Sequence, residues 1–124
     1  MLVQSKRAMK LRLPIPHPLD FDWRFSPRSA EALLHYAVAQ TPEDSRLACL
    51  GAPTVFARVG TAASATLFDN DPAVVSALRS AGFRGVRQAD LSRDRLPRGI
   101  AGCVIADPPW YPAHVRSFLW AASH

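Results

Sequence analysis

Asp107-Pro108-Pro109-Trp110 is the part of the sequence whose residue types and spacing point most directly to chemistry. A carboxylate, a turn stiffened by two prolines and a flat aromatic ring stand side by side. Asp107 can accept one hydrogen bond, and the carbonyl of Pro108, held in a rigid turn, can accept another. Trp110, or Tyr111 after it, offers a planar face to a planar ring. The same residues would also make a proline-rich turn around a buried tryptophan, with no ligand involved.

Two further carboxylates, Asp69 and Asp90, share one feature with Asp107: each follows a run that reads as a short strand (residues 65–68, 86–89 and 101–106). If those runs are parallel strands, the three acids meet at one edge of a sheet, the edge beyond which open α/β sheets bind ligands. The competing reading is that each acid only caps the helix or turn that follows, and Asp71 before Pro72 is read in that way. Gly51, in Leu50-Gly51-Ala52-Pro53-Thr54, follows another apolar run (46–50) and allows a close backbone approach at one point. His17, His35, His114 and His124 are scattered, with no pair at ligand spacing, so no metal site is expected. Cys49 and Cys103 sit in apolar runs and read as buried free thiols.

The elements that must position these residues are legible in outline. Residues 1–25 form a basic arm in which Pro14, Pro16 and Pro18 exclude helix. Ser26-Pro27 reads as a helix start, with Ala30, Leu33, Leu34, Ala37 and Val38 on one face and an end near Thr41-Pro42. Strands are expected at 46–50, 65–68, 86–89 and 101–106, the last buried on both faces because it is wholly apolar. A short apolar segment (54–59), a helix capped by Asp71 and stopped at Gly82, a polar loop (90–98) and a final helix from Pro112 or Ala113 to about Ala122 connect and follow them. This alternation predicts an α/β fold over 26–124: a Rossmann-like parallel sheet with crossover helices.

On these residues the chain resembles the class I S-adenosylmethionine-dependent methyltransferases, and its DPPW tetrad is similar to the D/N-P-P-Y/F/W motif of those that methylate exocyclic amines, above all N6 of adenine. The resemblance covers roughly residues 19–122. It implies that Asp107 and the Pro108 carbonyl hold the target amine, Pro109 stiffens the turn, and Trp110 or Tyr111 stacks on the base. It also implies S-adenosyl-L-methionine as cofactor, with Gly51 beside its methionine part, Asp69 on its ribose and Asp90 on its adenine amine. The glycine-rich turn of the family is reduced here to Gly51. Residues 20–25 (DFDWRF) lie where related enzymes place a cofactor-facing segment, or else form an arm packed over the sheet. Only the first part of the family's sheet is present, so a truncated fold is expected, its open edge covered by a missing C-terminal half or an oligomer partner.

Composition bounds the partners. With 124 residues, 48% hydrophobic and 20% charged, the chain is one ordinary globular domain rather than a disordered one. Neither a bilayer-spanning run nor a secretory signal is evident, and a cytoplasmic location is expected. The formal charge of +5 comes from 13 Arg and 2 Lys beside 20 Ala, a skew that a GC-rich genome also produces. Lys6, Arg7, Lys10 and Arg12 form one basic cluster. A second is Arg79, Arg84, Arg87, Arg93, Arg95 and Arg98, opposed only by Asp90 and Asp94, which makes nucleic acid a candidate partner. Two other functions stay open: a non-catalytic relative that binds nucleic acid or a protein, and aminopropyl transfer to a small amine, which the basic surroundings disfavour.

Overall fold

The computed structural model describes residues 13–14, 24–59, 64–108 and 111–124. Helix α1 (Pro27–Gln40) starts where Ser26 accepts a hydrogen bond from the Ser29 N–H at 3.2 Å, with Pro27 filling a position that has no need of an N–H. Strand β1 (Leu47–Leu50) is buried throughout. Helix α2 (Pro53–Val59) follows it, so the apolar segment expected at 54–59 is helical. Strand β2 (Ala65–Asp69) leads into helix α3 (Pro72–Ser80), whose N-cap Asp71 accepts from the Ala73 N–H at 2.9 Å. That helix ends in a turn closed by Gly82 N–H to Arg79 O and Phe83 N–H to Leu78 O. Strands β3 (Val86–Gln88) and β4 (Cys103–Ala106) and helix α4 (Pro112–Ala122) complete the order.

The four strands are all parallel and lie in the order β3-β2-β1-β4. Helices α1, α2 and α3 cover one face, where Leu34, Leu47, Leu67, Leu78, Val55 and Val74 are fully buried. Each such side chain contributes about 1.5–3 kcal/mol by leaving water. Leu13 and Phe25 pack against this cluster, so both ends of the described arm rest on the helical face. The other face is covered differently. Leu50 and Phe68 meet Leu91, Leu96 and Ile100 of the long β3–β4 connection and Phe118, Ala121 and Ala122 of α4.

The run at 101–106 is a strand only over its last four residues, and it is not fully buried. β4 is shorter, starts at Cys103, and is an edge strand in which only Ile105 is buried while Ala106 is exposed. Cys103 and Ile105 pack into the cluster under the helices and Val104 against the cluster on the other face, so both faces are partly covered. Among the described residues, no helix is long and apolar enough to cross a membrane.

Candidate active site

Strand order reverses between β1 and β4: β1 continues to β2 on one side, while β4 pairs on the other. A crevice opens at such a switch point beyond the carboxyl ends of the strands. The residues at those ends are Gly51 after β1, Asp69 at the end of β2, Asp90 after β3 and Asp107 after β4. Three backbone bonds tie the ends together. Asp107 N–H donates to Leu50 O at 3.0 Å, Gly51 N–H to Phe68 O at 2.9 Å, and Ala89 N–H to Asp69 O at 3.0 Å. Gly51, Asp69, Asp90, Asp107 and Pro108 are all half-buried along this one edge. The four residues picked out by sequence therefore do share an edge, with Gly51 and Asp107 immediate neighbours at the switch point. Pro109 and Trp110 lie outside the described residues.

The carboxylates differ in what already holds them. Asp69 Oδ1 accepts from the Asp71 N–H at 2.9 Å, steering the chain into α3. Asp90 Oδ1 accepts from the Ser92 hydroxyl at 2.6 Å and the Ser92 N–H at 3.0 Å. These bonds, the hydroxyl's first, hold the Asp90 carboxyl below the usual carboxylate range; slight burial opposes them, and the charges of Arg93 and His114 add to the lowering. Asp90 thus also anchors the tight turn in which its own N–H donates to Asp94 Oδ2 at 2.8 Å.

Gly51 has φ +69°, a conformation that side chains disfavour. A Cβ there would lie 3.2 Å from Phe118 Cε2 and 3.3 Å from the Asp107 carbonyl oxygen. The close approach this glycine permits is made by the chain itself: α4 and the β4 terminus press onto the end of β1. Beside it, at the start of α2, the Thr54 hydroxyl oxygen is buried and has no hydrogen-bond partner among the described residues. A buried hydroxyl left unpaired is costly, so this oxygen marks a place for a polar group.

Sequence reading passed over His114. It lies on the first turn of α4, with its ring centroid 6.1 Å from that of Tyr111 and its charge felt by Asp90. Both rings are exposed. The signal was the i, i+3 spacing of two rings across a helix start. Among the described residues, no three His, Cys, Asp or Glu side chains are grouped to hold a metal ion.

The fold and this edge define a class: a four-stranded, all-parallel α/β sheet with crossover helices, Rossmann-like, with acidic residues beyond the carboxyl ends of its strands. No protein-family model matches the chain, and no curated protein matches it.

Proposed function

We propose that the chain is an S-adenosylmethionine-dependent methyltransferase that acts on an exocyclic amine, N6 of adenine in DNA or RNA. The observation that carries the reading is the position of Asp107. It leaves the end of β4 at the switch point, bonded through its N–H to Leu50 O, so that the DPPW tetrad begins at the crevice where a parallel sheet binds its ligands.

The residues at hand suit the cofactor. Asp69 and Asp90 are carboxylate acceptors for hydroxyl and amino groups. When bound, the cofactor supplies an electrophilic methyl group on a sulfonium. The chain's own task is to orient the acceptor. The lone pair of adenine's amine is delocalised into the ring, which makes it a weak nucleophile. Asp107 and the Pro108 carbonyl accept the two N–H bonds and turn the lone pair outward, toward the methyl group. Tyr111, half exposed at the start of α4, and Trp110 provide the stacking face. In a duplex the base would first be flipped out.

A second reading has its own support. Phe118 fills the direction in which Gly51 would offer space, and the Asp69 and Asp90 carboxylates already hold turns. These are the features of a methyltransferase-like domain that binds a partner without catalysis. Calorimetry separates the two. Binding of S-adenosylmethionine or its demethylated product, weakened by about 1–3 kcal/mol in Asp69→Ala, supports the enzyme. Absence of binding, or binding untouched by replacing both Asp69 and Asp90, overturns it.

A further inference from the structure

The connection between β3 and β4 is polar in sequence but ordered by its apolar residues. Leu91 is buried, and Leu96 and Ile100 are half-buried, all three against Leu50 and Phe68 on the second face of the sheet. With these three turned inward, Arg93, Arg95 and Arg98 between them are turned outward, and all three are exposed. Arg87 joins the row. It pairs with Phe68 in the β2–β3 register, which puts its side chain on the same face, and it too is exposed. Arg79 does not belong to it, because its guanidinium donates to the Val86 carbonyl at 2.9 Å.

The acids beside the row also hold the loop's own turn. Asp90 holds Ser92, and Asp94 holds the Asp90 N–H at 2.8 Å. None of the four arginines forms an ion pair with a described carboxylate. A single arginine on an edge strand would be protection against edge pairing. Three more on a loop that covers a face have no such use. At the upper end of the row, Arg93 and His114 both bear on the Asp90 carboxylate, so the cationic loop and the Tyr111–His114 ring pair both lie near this acid. Cations that follow a backbone and exposed rings on which unpaired bases stack are together the means of binding single strands. A duplex, whose bases are stacked on each other, offers those rings no face.

We propose that the outward face of the 91–100 loop, extended by Arg87 and ending at the Tyr111–His114 ring pair, is the track on which a single-stranded polynucleotide lies on its way to Asp107. The proposal rests on the amine-methylation reading only for what happens at the end of the track. The partner itself is specified by the row of exposed guanidinium groups and the rings.

The test is fluorescence anisotropy with a labelled single-stranded oligo(dA), across about 50 to 200 mM salt. Three phosphate contacts contribute a log–log slope of about 2 for single strands, so R93Q/R95Q/R98Q should flatten the salt dependence by that amount. Over this range wild type should therefore lose about 20-fold more affinity than the triple variant. Tyr111→Ala should weaken binding about fivefold or more while leaving the slope intact, because stacking is not screened by salt. Equal slopes in wild type and triple variant overturn the track. So does tighter binding to the matching duplex, or preference for phosphatidylserine vesicles over the oligonucleotide. Salt-dependent binding without methyl transfer removes the enzymatic reading and keeps the track, whereas transfer that the triple variant leaves unaltered does the reverse.

Discussion

Replacing Gly51 by alanine tests how tightly the switch point is built. Gly51 and Gly99 both have positive φ, +69° and +65°. An alanine at either position meets the same backbone penalty, about 1–2 kcal/mol, partly offset by about 0.4–1 kcal/mol from a less flexible unfolded chain. The two sites differ in space. Around Gly99 a Cβ meets nothing within 4 Å, whereas at Gly51 it meets Phe118 Cε2 at 3.2 Å and the Asp107 carbonyl oxygen at 3.3 Å. The Phe118 ring can shift a little, but the Asp107 carbonyl belongs to backbone held by its N–H bond to Leu50 O. Crowding of this kind costs about 1–3 kcal/mol. Gly51→Ala should therefore be less stable than Gly99→Ala by about 1–3 kcal/mol in urea unfolding, with similar m-values. Equal stability of the two would refute the claim that α4 and the β4 terminus close onto the end of β1.

Two further outcomes follow from the titrating groups. The folded-state pKa of Asp90 lies below its ordinary value, so its stabilisation is present above about pH 4 and lost as pH falls through the lowered value. Ser92→Ala removes the larger cause; its stability deficit should be full near neutral pH and shrink on acidification, and a deficit constant from about pH 6 to pH 2 would contradict this. Burial, and secondarily Cys103, pushes the Cys49 thiol up to about 12, so Cys49 should resist iodoacetamide in the native protein near pH 8 and react once the chain is unfolded in urea. Reaction of Cys49 at equal rates in both states would mean that β1 is not the buried centre of the sheet.

The order of elements was readable because its signals are local. Ser26 and Asp71 cap helices through their own side chains, and the turn at Gly82 lies where α3 stops. The alternation of apolar runs with capped helices was enough for a parallel sheet. What sequence misjudged depended on neighbours distant in the chain. Residues 101–106 look like a strand buried on both faces, yet how far a strand is covered depends on what pairs with its second edge, and apolar composition does not encode that. The loop at 90–98 reads as polar because arginines outnumber the apolar residues. Leu91, Leu96 and Ile100, spaced at no regular period, nevertheless anchor the connection to the sheet. Gly51 was singled out for the space it leaves, but which group enters that space, the Phe118 ring, is a tertiary fact. The meeting of Asp69, Asp90 and Asp107 at one edge was legible from their positions after runs that read as short strands. That two of these also secure local turns was only half legible, through the general tendency of aspartate to bond nearby N–H groups.

Asp107 is where the functional account is most exposed, and methyl transfer is the measurement that reaches it. Wild type and Asp107→Ala would be incubated with an adenine-containing single-stranded oligonucleotide and S-adenosylmethionine labelled in its methyl group, with cofactor affinity measured in parallel. Loss of one preorganised polar contact to the reacting amine lowers a rate by a factor of about 100 or more. The account predicts label on N6 of adenine with wild type, a loss of at least about that size in Asp107→Ala, and nearly unchanged cofactor binding in both. Equal transfer by the two proteins would contradict the role given to Asp107, and cofactor binding with no transfer by either would contradict adenine as the acceptor.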